Sequence, residues 1–91
     1  MQSEDLWLLV KEFEKVLRQA QDKQDVEKRL ENLLKGLLTQ SEIQELAERF
    51  RIVGLLKKGV AQHVIAKKLG IGVATVTRGS KELKQGNFKY V

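Results

Sequence analysis

The chain has no cysteine and no proline, and only one histidine, one tryptophan and one tyrosine among its 91 residues. Without cysteine there is no disulfide framework and no thiolate metal site. One histidine cannot build a histidine-based metal or catalytic centre alone. The lack of proline removes the strongest helix breaker, and frequent Leu, Lys, Glu and Gln favour an all-helical chain. No apolar run approaches the roughly 18 residues of a membrane span, and the start lacks a secretory-signal pattern. The expectation is a cytoplasmic protein with no membrane partner. As one small domain, a monomer of this size buries only about 60–65% of its unfolded surface. Sharing a core with a second copy would add to that burial.

Acidic residues are also missing from one half. Residues 51–91 carry nine Lys and Arg against a single acid, Glu82, for a net charge of +8. Residues 1–50 carry eight Lys and Arg against eleven acids, for a net of −3, and the whole chain is +5. Such a basic half is the footprint expected of a protein that binds nucleic-acid phosphates.

Leu6, Leu9, Val10, Phe13, Val16, Leu17 and Ala20 recur at helical spacing. Ser3 can cap this helix, and Glu4 and Asp5 suit its first turn. Gln21 to Gln24 is a polar break, followed by the stripe Val26, Leu30, Leu33, Leu34 and Leu37, with Gly36 placed to stop the second helix in a left-handed conformation. Thr39-Gln-Ser-Glu42 reads as a capping box that opens a helix carrying Ile43, Leu46, Ala47, Phe50, Val53 and Leu56 and closing at Gly59. A short helix over about 61–69, a turn at Gly70-Ile-Gly72 and a helix over about 73–83 follow. The division expected is a single domain, 1–91, with a helical dimerisation core over 1–58, a helix-turn-helix over 61–83 and a flexible basic tail over 84–91.

The helix-turn-helix reading rests on several positions in one window. Ala66 falls where the two helices approach closest, and Gly70 falls at the turn, where positive φ favours glycine. Ile65, Leu69, Ile71 and Val76 are spaced to lock the pair onto the core. The second helix then presents its N-terminal end to the major groove through Gly72, Ala74, Thr75, Arg78 and Lys81. Alanine and the threonine methyl can touch a thymine methyl, and threonine hydroxyls reach base edges or phosphates. No Gln or Asn stands on that face, so readout leans on water bridges and DNA shape. Gln62, His63 and Lys67 on the first helix are placed for phosphate contact, with Lys68 on a neighbouring face. The DNA-binding set is therefore Gln62, His63, Lys67, Ala74, Thr75, Thr77, Arg78 and Lys81. Each has a plainer alternative: Lys67 and Lys68 as a solvated face, Thr75 and Thr77 as back-bonding helix residues, Gly79 as a helix defect. No catalytic set emerges: there is no paired carboxylate at catalytic spacing near the basic half, no phosphate-binding loop and no nucleophile beside His63. An enzyme is not expected.

Leu38-Thr39 at a helix start, then Arg49-Phe-Arg-Ile-Val53, then Leu69-Gly-Ile-Gly-Val-Ala-Thr-Val-Thr-Arg-Gly-Ser80 resemble the Trp repressor family. The resemblance covers about residues 33–84, and Ala74-Thr-Val-Thr-Arg-Gly-Ser80 is its specific part. It implies an all-α fold of about five helices per chain, an intertwined helical homodimer with helix-turn-helix reading heads, a palindromic double-stranded DNA operator and L-tryptophan as corepressor. The resemblance places the indole between Arg49 and Arg78, the ligand carboxylate on Arg78 and Thr39, the ammonium near the Leu38 carbonyl, and room for the ligand beside Gly79. Guanidinium planes stack on aromatic rings and also hold carboxylates, which makes the pairing physically sound. Tryptophan-binding members place a small hydroxyl residue where this chain has Glu82; a carboxylate there would either pair with the ligand's ammonium or close the pocket. Two other readings stand beside this one. The first is a regulator of the same type that ignores tryptophan. The second is a helical interaction module whose basic half meets an acidic protein.

Overall fold

A computed structural model of the chain describes residues 3–91, so the first two positions of the expected core lie outside the described residues. The described residues form five helices and no strand: α1 (Glu4–Arg18), α2 (Lys23–Leu37), α3 (Gln40–Lys57), α4 (Gln62–Leu69) and α5 (Val73–Lys84). None is long and apolar enough to cross a membrane. The chain divides into two compact units, Met1–Thr39 and Gln40–Val91. The division falls after Thr39, so α3 belongs with α4 and α5.

The first unit is the α1–α2 pair. Ser3 caps α1, its Oγ accepting from the Leu6 N–H at 3.0 Å. Asp22 caps α2 by accepting from the Asp25 N–H at 2.8 Å, and the Asp25 carboxylate reaches back to the Gln21 N–H at 3.0 Å. This reciprocal arrangement satisfies two otherwise unpaired amides. Arg29 joins the helices: its Nε donates to Asp25 and its Nη1 donates to the Val16 carbonyl, each at 3.1 Å. The Gln21 N–H, and after it the Arg29 guanidinium, hold the Asp25 carboxyl below its usual value. Gly36 does not stop α2. The helix continues through it to Leu37, and Leu38 leaves in an extended conformation. No described residue of this unit is buried. Trp7 is 46% exposed, Leu9 49% and Leu6 55%, so the hairpin leaves its own apolar stripe uncovered.

The second unit holds the core. Ile52 from α3, Ile65 and Ala66 from α4 and Val76 from α5 are buried together, with Leu55, Leu56, Val60, Leu69 and Ile71 packed around them. At the end of α3 the Gly59 N–H donates to the Leu56 carbonyl (3.0 Å) and the Val60 N–H to the Leu55 carbonyl (3.1 Å). Gly59 has φ +82°, so this is the left-handed stop expected there. The turn between α4 and α5 is built alike: Gly70 has φ +68°, and the Ile71 N–H donates to the Ala66 carbonyl at 3.0 Å.

On α3, Phe50 is 54% exposed. At about 100° per residue, Phe50 lies roughly 160° around α3 from the buried Ile52 and shares a side with Ile43 and Ala47. The tail does not simply fray. Residues 85–90 form turns, Asn87 Nδ2 donates to Glu82 Oε2 at 2.6 Å, and Lys57 Nζ donates to the Phe88 carbonyl at 2.8 Å and to the Val91 carbonyl.

Candidate nucleic-acid interface and effector cleft

The local sequence explains how α5 is presented. Gly72 precedes it in an extended conformation and supplies no side-chain cap; the Thr75 N–H donates to the Gly72 carbonyl at 3.2 Å, and the Val73 and Ala74 amides keep their donors for another partner. Val76 is fully buried, and it anchors the helix against α4. Ala74, Thr75, Arg78 and Lys81 all lie exposed on α5. From α4, His63 and Lys67 are exposed and Gln62 is half-buried.

Gln62 and Thr77, both expected at DNA, are joined to each other. The Thr77 hydroxyl lies 2.8 Å from Gln62 Oε1 and 3.0 Å from the Val73 carbonyl, and its single hydrogen is shared between them. The pair therefore latches α4 to the start of α5. Gln62 keeps its amide hydrogens, and those remain available to a phosphate.

Between α3 and α5 lies an open cleft of about 540 Å³, within the range of small-ligand sites. It brings together Arg49, Arg78 and Gly79, three of the four residues expected at a ligand. Thr39, the fourth, ends the first unit, one residue before α3 begins. Among the described residues neither Arg49 nor Arg78 has a hydrogen-bond or ion-pair partner. Both guanidiniums keep their donors and faces for a ligand. Ala74 and Thr75 also line the cleft, so the exposed side of α5 and the cleft share residues.

Gly79 is explained by packing as well as by room for a ligand. A Cβ at Gly79 would stand 3.1 Å from Ile52 Cγ2 and 3.9 Å from Leu56 Cδ1. The glycine lets α5 approach α3 closely.

Among the charged and aromatic lining residues, sequence reasoning missed Glu45, Glu48 and Phe88. Glu45, Glu48, Arg49 and Ile52 follow the i, i+3, i+4, i+7 rule of a single helix face, so Arg49, already expected at the ligand, was the signal for the first two. Nothing local marks Phe88, because its place depends on the turns after α5. Among the described residues no cluster of His, Asp and Glu is arranged to hold a metal ion.

Comparison with known proteins follows the same residues. The profile of the Trp repressor protein family matches residues 10–91. A Trp operon repressor homolog of Vibrio campbellii is 47% identical over 55 residues, covering 59% of this chain and 55% of the relative. One from Vibrio vulnificus is 47% identical over 59 residues, 64% of this chain and 58% of the relative. One from Xylella fastidiosa is 38% identical over 58 residues, 63% of each. The chain thus spans little more than half the length of these Vibrio relatives. No solved structure matches it.

Proposed function

The chain belongs to the Trp repressor family, and from that premise we propose that it is a DNA-binding transcriptional repressor acting as a homodimer on a palindromic operator, with L-tryptophan as corepressor. The observation that carries this reading is the exposure of Ala74, Thr75 and Arg78 on a helix whose other side is locked by buried Val76. A helix held this way, in a segment of net charge +8, suits the major groove. Ala74 and Thr75 serve base edges, the Val73 and Ala74 amides opening α5 serve a phosphate, and Gln62, His63, Lys67 and Lys81 serve the backbone around the groove, with Thr77 holding Gln62 in place.

The corepressor belongs in the α3–α5 cleft. The indole stacks between Arg49 and Arg78, and Arg78 also holds the carboxylate. Because the cleft is lined by the same helix that reads DNA, a ligand there fixes the tilt of α5. In a two-fold dimer that tilt sets the separation of the two heads, which has to match about 34–36 Å, one turn of DNA. Tryptophan then works by shifting the population of head orientations.

The second copy is supported by the uncovered apolar faces, Leu6, Trp7 and Leu9 on α1 and Phe50 on α3. The rival reading is a regulator of this type that ignores tryptophan, the outcome if the Glu82 carboxylate in the cleft wall closes the pocket. Selection of binding sites from random duplexes, with and without L-tryptophan, tests the whole reading. The expected result is a palindromic site enriched more strongly with the ligand. Affinity for that site falls with salt, with a log–log slope of roughly −0.9 per phosphate neutralised. Absence of any enriched site, or a flat salt response, rules out the DNA reading. Equal enrichment with and without ligand leaves the tryptophan-independent regulator.

A further inference from the structure

We propose that the segment after α5 is part of the ligand site, and that Glu82, positioned by Asn87, makes the cleft select aromatic ligands that carry an amino group. The inference rests on the ligand reading of the cleft given above. It starts from the charge of the walls. Glu45, Glu48 and Glu82 face Arg49 and Arg78, one more carboxylate than guanidinium. A ligand with only a carboxylate meets an excess of like charge. A ligand with an ammonium group meets a partner.

Glu82 is the carboxylate that the fold prepares for this task. It stands one helical turn beyond Arg78, at i,i+4 on α5. Outside the cleft three i,i+4 pairs close on themselves, Glu14 with Arg18, Asp25 with Arg29 and Glu31 with Lys35, whereas Glu45 and Arg49 in the cleft wall stand four apart and stay open. In all of these the acid comes first, the favourable order on a helix. Arg78 and Glu82 run in the reverse order and form no ion pair among the described residues. Instead Asn87 Nδ2 donates to Glu82 Oε2 at 2.6 Å. That bond orients the carboxylate and leaves Oε1 to accept from a ligand. A free guanidinium and an oriented carboxylate one turn apart suit the two charged ends of a zwitterion.

The tail is held in place from α3. Lys57 Nζ donates to the Phe88 carbonyl at 2.8 Å, and Phe88, half-buried, lines the cleft beside Glu82. Phe88 adds an aromatic wall where an aromatic ligand sits. Glu82 is the amine receptor, and Asn87 is a positioning residue that acts through it.

Calorimetric titration of the full chain with L-tryptophan, tryptamine and indole-3-propionate tests the proposal, since the last two carry only the amine or only the carboxylate. Tryptophan and tryptamine are expected to bind at least about tenfold more tightly than indole-3-propionate, the weight of one charge-assisted hydrogen bond. Glu82→Gln should weaken both amines by about tenfold and leave indole-3-propionate unchanged or tighter. Asn87→Ala should act in the same direction and less strongly; Asn87 is exposed, so this variant tests the idea even where Glu82→Gln disturbs folding. Equal weakening of all ligands, or tighter tryptophan binding by Glu82→Gln, overturns the proposal and leaves the ligand reading standing. No heat with any of the indoles overturns both.

Discussion

Two glycines of this chain have opposite expected responses to the same substitution. Gly70 closes α4 at φ +68° with open space around its Cα, so a side chain there meets strain and no clash. Gly70→Ala is expected to destabilise the fold by about 1–2 kcal/mol. Gly36 sits inside α2, again with open space around it, and Gly36→Ala is expected to stabilise by roughly 0.5–1 kcal/mol. Urea titration of the two variants checks both signs. Asp25 makes a pH prediction. The Gln21 N–H and then Arg29 hold its carboxyl below the usual 3.8. A lowered folded value means that the unfolded chain binds more protons in this range. The stabilisation is fully present above the unfolded value and is lost as pH falls through the lowered folded value. Thermal melts of the full chain from neutral pH down to about pH 2.5 should show an acid-labile component below pH 4 that Asp25→Asn lacks.

Between helices, the Gln62–Thr77 bond is the polar counterpart of the Ile65–Val76 packing. Thr77→Val keeps the shape and removes the hydroxyl, at an expected cost of about 0.5–1.5 kcal/mol because water reaches half-buried Gln62. Ile65→Ala opens a cavity at a fully buried position and is expected to cost roughly 2–5 kcal/mol. Chemical denaturation of both variants ranks apolar packing above the latch or reverses that order. The helix α3 shows why one element can serve two surfaces. Ile52 and Leu56 face α4 and α5, while Ile43, Ala47 and Phe50 occupy the other side. Its charged residues Glu45, Glu48 and Arg49 share the side of Ile52 but lie a turn or more toward the N-terminus, where they wall the cleft.

For the molecule as a unit, the uncovered stripe on α1 is the dominant stability question. Leu6, Trp7, Leu9 and Val10 are about half exposed, and covering them in a second copy would add stability at about 25 cal/mol per Å² of apolar surface. The melting temperature is therefore expected to rise with protein concentration, as it does for any protein stabilised by its own association. Leu9→Glu should abolish that dependence and give a lighter species in sedimentation equilibrium. A melting temperature independent of concentration in the unsubstituted chain would count against the homodimer.

Helix positions, the glycine stops at Gly59 and Gly70, and the burial of Ile65, Ala66 and Val76 were legible in the residues because they depend on neighbours within a few positions. Periodicity, capping chemistry and left-handed turns act over that range. Which side of α3 meets α4 and α5 was not legible, because a helix with apolar residues on two sides, such as Ile52 and Phe50, does not announce it. Gly36 was misread because a glycine near a helix end stops it only where the chain needs to turn. The cleft needed the fold. Arg49 and Arg78 stand 29 positions apart, and Phe88 and Asn87 reach the site through turns that no local pattern marks. Local chemistry wrote the helices and their stops. The sharing of one cleft by α3, α5 and the tail came from packing between segments distant in the chain, which Gly79 permits by letting Ile52 come close.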